Sequence, residues 1–317
     1  MDRRDFLKTL AAAGAMLTLK SNGVMDVMAS TLPSGSTATA NADSYADMAA
    51  IMNGEPAAML RAALEQLGGI KRFVKKGDKV VLKPNIGWDR TPELAANTNP
   101  ELIVEMIKQC QSAGAAEVKV FDHTCDEWTR CYDHSGIEKA VKGAGGIMVP
   151  ANEESYYQEI ELPKGKALKK AKVHKAILES DVWFNMPILK NHGGARLTIA
   201  MKNHMGIVWD RRAFHSQGLQ ECIADITTLS KPAALHIVDA YRIMTDNGPQ
   251  GRNANDVVLT KALFASTDIV AVDTAAAKFF NQFRQIPLET VSHIENGQKL
   301  GMGTMDIDKL NVKRIKL

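Results

Sequence analysis

The residues able to do chemistry are densest between Lys190 and His215, which reads K-N-H-G-G-A-R-L-T-I-A-M-K-N-H-M-G-I-V-W-D-R-R-A-F-H. This stretch holds Lys190, Arg196, Lys202, Arg211 and Arg212 together with His192, His204 and His215. Gly193, Gly194 and Gly206 allow a ligand to approach the backbone closely. Lysine and arginine beside exposed amides suit phosphate or carboxylate. The histidines could exchange protons or hold a metal. A basic, solvated loop is the simpler reading, but polar and apolar residues interleave too closely for a plain exposed face. The chain has no G-x-x-x-x-G-K-[ST], G-x-G-x-x-G, H-E-x-x-H or G-x-S-x-G motif.

Other polar residues fall where apolar strands end. Lys83-Pro84-Asn85 follows Lys79–Leu82, Asp122-His123 follows Glu117–Phe121, and Asp239 follows Leu235–Val238. Met186-Pro187 leads from Asp181–Asn185 into the Lys190 stretch. Singly these are ordinary loop residues. Together they mark a site, because ligands of open α/β sheets lie beyond the carboxyl ends of the strands. On this reading Lys83, Asn85, Lys190, Lys202 and Asn203 would bind an anion. His192 and His215 would give or take protons or ligate a metal, and Asp239 and Asp273 would orient a cation or a histidine. Asp268 reads as a helix N-cap, whereas Asp273, inside the same helix, does not.

A second constellation, His123-x-Cys125 through Cys131-x-x-His134, offers two imidazoles and two thiols but matches no standard zinc spacing. A Cys125–Cys131 disulfide, a soft-metal site and two unpaired structural cysteines all fit it, and the spacing chooses none of them.

The elements that must position these groups alternate along the chain. Periodicity and punctuation predict helices over 56–67, 100–113, 137–144, 218–229, 268–280 and 287–300. Strands are expected at 79–82, 117–121, 147–149, 181–185, 235–238, 257–265 and 312–315, with an antiparallel excursion over 155–170. This order predicts an α/β fold, a mixed and mostly parallel sheet flanked by helices. No linker divides residues 45–317, which are therefore expected to form one domain.

The N-terminus carries a different signal. Arg3-Arg4 is followed by Asp5-Phe6-Leu7-Lys8 and then an apolar run from Thr9 to Leu19, too short to span a membrane as a mature helix. Asp2 stands where Ser or Thr is usual, and Lys20 closes the run. Val27-Met28-Ala29 is the first cleavage triplet and Ala40-Asn41-Ala42 a second. Residues 1–29 thus read as a twin-arginine signal peptide and 30–44 as a flexible linker. The expected partner is the twin-arginine translocase, which carries folded proteins, and the expected location is the periplasm. In the 317-residue chain 39 basic residues nearly balance 36 acidic ones, a formal charge of +3 that argues against a nucleic-acid partner. No second apolar run has membrane length.

Lys83-Pro84-Asn85, Lys190-x-His192, Lys202-Asn203-x-x-Gly206, His215, Asp239, Gly248-Pro249 and the run from Ser266 to Asp273 resemble, in this order, the bacterial and archaeal family called domain of unknown function 362. The resemblance covers about Leu60 to Gly301 and implies no reaction. Some relatives carry fused C-x-x-C-x-x-C iron–sulfur segments, and this chain has none. The expectation is an exported protein whose Lys/His/Asp pocket holds a phosphate- or carboxylate-bearing ligand or cofactor. The alternatives are a metal or redox protein using His123, Cys125, Cys131 and His134, and a non-catalytic solute-binding protein. The cofactor stays open between a metal ion and a phosphate-containing group.

Overall fold

A computed structural model describes residues 45–317; the signal, both cleavage triplets and the linker lie outside them. The chain begins with strand β1 (Met48–Met52) and helix α1 (Pro56–Gln66). There follow β2 (Lys79–Pro84), α2 (Pro100–Ser112), β3 (Glu117–Val120), α3 (Trp128–His134), α4 (Ile137–Gly143) and β4 (Ile147–Met148). Pro100 sits in the first turn of α2, and the Asn99 side chain accepts from Glu101 N at 2.9 Å, satisfying an amide the helix leaves unpaired.

An antiparallel ribbon, β5 (Tyr157–Glu161) and β6 (Lys170–His174), stands apart from the main sheet. After α5 (Lys175–Glu179) come β7 (Val182–Met186), the hairpin of β8 (Ile188–His192) and β9 (Arg196–Thr198), and the single-turn helix α6 (Ala200–Asn203). Helices α7 (Arg212–Gln217) and α8 (Leu219–Ile226) lead to the long strands β10 (Leu235–Met244) and β11 (Val257–Ser266). Helices α9 (Ile269–Phe280) and α10 (His293–Lys299) and strand β12 (Val312–Lys316) complete the chain.

The main sheet has ten strands along the path β12-β1-β11-β10-β7-β2-β3-β4, with the β8–β9 hairpin attached to β10. Strands β10, β7, β2, β3 and β4 are parallel neighbours, while β11 runs antiparallel to both β10 and β1. The sheet is thus mixed and mostly parallel, with helices flanking it. Side chains alternate faces along each strand. Val80 and Leu82 enter the core beneath α1 and α2, whereas Val81 enters the opposite core with α6, α8 and α9. Lys83 continues the Val81 side, and its register partner Asn185 continues that of Trp183. This parity turns both polar residues toward α6.

Three expectations differ from the structure. Asp239 does not end its strand: β10 runs on to Met244, with a bulge between Ala240 and Arg242. The segment after Lys190 is ordered as the β8–β9 hairpin, pairing Lys190 with Thr198. The last helix begins only at His293, after a short 3-10 turn at Leu288–Thr290, where β-branched Thr290 and Val291 interrupt the run. Strand β1 was not expected at all.

Candidate functional site

The carboxyl ends of β2 and β3, the β8–β9 hairpin and α6 converge on a cavity of about 1260 Å³. Lys83, Asn85, Lys190, His192, Lys202 and Asn203 all line it, and His215 joins them from the exposed face of α7. The cationic groups differ sharply in how they are matched. Lys83 is fully buried, with Nζ 2.8 Å from Asp122 Oδ1 and donating to Asn203 Oδ1 at 2.7 Å. Burial holds its ammonium below the usual range even with Asp122 beside it. At the outer wall Lys170 pairs with Glu159 at 2.9 Å, and Lys172 pairs with Glu154.

Lys190 and Lys202 have no carboxylate partner among the described residues. Lys190 Nζ donates to Asn85 Oδ1 at 3.0 Å and to the Ala96 carbonyl. Burial lowers its pKa to about 7, despite some help from the neighbouring Cys125. Lys202 is half-buried, and its Nζ meets no hydrogen-bond acceptor among the described residues. Burial brings it to about 8, with Arg211 and Lys83 adding repulsion.

Asn203 ties the site together. Its Oδ1 also accepts from Asn85 Nδ2 at 3.1 Å, and its Nδ2 donates to the Lys83 carbonyl at 3.2 Å and to Asn185 Oδ1 at 2.8 Å. Gly206, just beyond, must be glycine-sized. A Cβ there would overlap Asp122 Oδ1 and lie 2.5 Å from Lys83 Nζ.

Two of the three cavity imidazoles, His192 and His123, are held in complementary tautomers. His192 Nδ1 accepts from Gly194 N at 3.1 Å and Ala195 N at 3.0 Å, which places the ring proton on Nε2. Burial, followed by repulsion from Lys202 and Lys190, lowers its pKa to about 2, so it is a neutral donor. His123 Nδ1 donates to the Val208 carbonyl at 2.8 Å, which leaves Nε2 as its lone-pair nitrogen. Its ring stacks on Trp209 with centroids 5.0 Å apart, and burial lowers its pKa to about 4.

Asp239 and Asp273 do not line the cavity and hydrogen-bond to no histidine among the described residues. Asp239 accepts from Asn99 N at 2.8 Å and Tyr241 N at 3.0 Å, and burial raises its pKa to about 6. Asp273 accepts from Ala200 N at 2.8 Å and Met201 N at 3.0 Å, and burial raises it to about 8. Asp273 therefore caps α6, the turn that carries Lys202 and Asn203, from a helix elsewhere in the chain.

The set His123, Cys125, Cys131 and His134 is not gathered into a metal-sized cluster, and none of at least three such ligands occurs among the described residues. Cys131 is buried in α3, and His134 is exposed and bonded to Asp89 through Nδ1. Cys125 is exposed on the cavity wall, where Arg211 Nη1 donates to its Sγ at 3.3 Å. Both thiols are free. Asp122 also lines the cavity, as do Trp88, Thr198 and Trp209, which the sequence did not single out. Only the position of Asp122 at a strand end hinted at its place.

The chain is 27% identical over 235 residues to the thylakoid-associated protein sll1697 of Synechocystis sp., a match covering 68% of this chain and 67% of that protein. Among solved structures it is similar to the lactate racemase apoprotein of Thermoanaerobacterium thermosaccharolyticum, at 14% identity and a TM-score of 0.40. That match covers 67% of this chain and 53% of the other. Residues 1–20 match the twin-arginine translocation pathway signal sequence, so the protein is exported across the membrane to the periplasm by the translocase of that pathway. No described helix is long and apolar enough to cross a membrane. Residues 80–278, well over half of the chain, match the family model described as domain of unknown function (DUF362), and the chain belongs to that family.

Proposed function

We propose that the cavity binds a small phosphate- or carboxylate-bearing molecule and that the protein acts on it as an enzyme in the periplasm. The observation that carries this reading is the charge imbalance among the lysines that line the cavity. Lys83, Lys170 and Lys172 each have a carboxylate partner, whereas Lys190 and Lys202 have none. Two cationic side chains that share one cavity without a carboxylate raise the free energy of the ligand-free protein, and an anion within reach of both lowers it. His192, fixed as a neutral Nε2–H donor, adds a hydrogen bond to an anionic or developing anionic oxygen without adding charge. His123 Nε2 supplies a lone pair able to accept a proton. A donor and an acceptor beside cationic side chains are what an enzyme needs and more than a carrier needs.

Thermal melting in phosphate, pyrophosphate and short dicarboxylates tests the binding. A ligand that binds only the folded state adds about 2.7 kcal/mol at a hundredfold excess over its Kd. Lys202→Met should remove most of that shift. A shift unchanged in Lys202→Met would place the anion elsewhere, and no shift with any of the three ligand classes would overturn the reading.

A further inference from the structure

We propose that Lys202 is a nucleophilic amine that forms an imine with the carbonyl carbon of an anionic oxo compound, such as a 2-oxo acid or an aldehyde phosphate, bound in this cavity. The proposal rests on the anion-binding reading and extends it by naming the reacting group and the ligand class. A lysine attacks a carbonyl only as the free amine, and a surface lysine is protonated almost completely at neutral pH. Neighbouring cations and a desolvated wall are the known means of releasing that proton.

Lys202 has both. It is half-buried in the cavity, and burial with the opposing charges of Arg211 and Lys83 outweighs the support that Cys125 and Asp122 give its charge. Its proton affinity falls to about 8, within reach of physiological pH. Unlike Lys190, whose Nζ is held by Asn85 and Ala96, the Lys202 amine has no acceptor to turn its lone pair away from a ligand. Asp273 fixes the backbone of the turn that carries Lys202 by accepting from Ala200 N and Met201 N. A second polar group in the cavity also lacks a partner: Thr198 is 3% exposed and its Oγ1 meets no hydrogen-bonding atom among the described residues.

The chemistry balances without an oxidant or reductant. Neutral Nζ attacks the carbonyl carbon, a C–N bond forms, and the carbonyl electron pair moves to oxygen. That oxygen takes a proton, and nitrogen loses one, to give the carbinolamine. Protonation of its hydroxyl and cleavage of the C–O bond then release water and leave the iminium. His192 Nε2–H is the donor suited to stabilise the oxygen during attack, and Lys190 to pair with the ligand's carboxylate or phosphate.

The test is borohydride trapping on the full exported protein with pyruvate or glyoxylate, followed by peptide mapping. A reduced adduct is expected on Lys202 at about tenfold or more the level on exposed Lys170, because only the former has an appreciable free-amine fraction. Phosphate should compete with it, and acetone, which lacks the anionic group, should label poorly. Lys202→Arg should abolish trapping while keeping the phosphate-induced melting shift, since arginine retains the charge but forms no imine. Lys202→Met should lose both. Labelling spread evenly over exposed lysines, or trapping that survives in Lys202→Arg, overturns the proposal. A phosphate shift without any trapping overturns the imine alone and leaves anion binding standing, whereas absence of the phosphate shift removes the reading beneath it.

Discussion

Lys83 Nζ and Asp122 Oδ1 lie 2.8 Å apart with neither side chain more than 2% exposed, an ion pair joining the carboxyl ends of two adjacent parallel strands. The pair gives Lys83 a carboxylate partner, which Lys190 and Lys202 in the same cavity lack. Asp122 does more than balance Lys83, because its Oδ2 accepts from Ile86 N at 2.7 Å and so fixes the turn that follows β2.

Removing one partner of such a pair strands a buried charge. Asp122→Ala should therefore destabilise the protein by about 3–5 kcal/mol. The double variant Lys83→Met with Asp122→Ala should lose less than the sum of the two single variants, by about 1 kcal/mol or more. Urea denaturation of the four proteins measures both quantities. Additive losses would mean that the two side chains are not coupled.

Lys202 should show the opposite behaviour, because it has no partner to lose. Its folded pKa, about 8, lies below the ordinary lysine value of 10.5, so the folded state binds its proton more weakly than the unfolded state does. The resulting penalty is fully present below pH 8, shrinks as pH rises from about 8, and is gone above about 10.5. Lys202→Met should therefore stabilise the ligand-free protein at pH 7 by an amount on the order of 1 kcal/mol, with the gain fading toward pH 10.5. Melting temperatures of both proteins across that range provide the check. A gain that is flat with pH would come from packing rather than charge.

Much of the frame could be read from the chain because its signals are local. Apolar runs at 79–82, 117–121 and 181–185 place three parallel strands, although β2 runs two residues further, through Lys83 to Pro84, and β7 spans Val182–Met186. Strand β1 escaped because Met-Ala-Ala-Ile-Met carries neither the alternation of a half-buried strand nor β-branched enrichment, and it is buried throughout. The β8–β9 hairpin escaped because its polar residues read as loop, when their polarity serves the cavity. Asp273 was recognised as out of place in its own helix, but the helix it caps lies 73 residues away, a relationship no local pattern encodes. Asp239 was taken for a strand end because a carboxylate inside a buried strand is costly, and the Asn99 and Tyr241 amides that offset the cost come from folding.

Export rests on Arg3 and Arg4 within the matched signal at residues 1–20. The conservative double substitution Arg3→Lys with Arg4→Lys keeps the charge but not the guanidinium pair. It should leave the protein in the cytoplasm, as fractionation and immunoblotting would show. An unchanged periplasmic yield would mean that another segment directs export.

The thiols offer a separate check on the His123–His134 region. Cys110, Cys131 and Cys222 are buried, and burial raises their pKa values to about 12, 12 and 11, so few thiolates form at neutral pH. Cys125 is exposed and lies against the Arg211 guanidinium. The native protein should therefore give one fast thiol with an aromatic disulfide reagent at pH 8, lost in Cys125→Ser. Denaturation without reductant should then raise the count to all four cysteines of the chain. Two missing thiols in the denatured protein, restored by dithiothreitol, would reveal a disulfide. Thiols restored by a chelator instead would return Cys125 and Cys131 to a metal site. Phosphate should slow the Cys125 reaction, because the thiol shares the cavity with Lys190 and Lys202. A rate indifferent to phosphate would place the bound anion away from this wall.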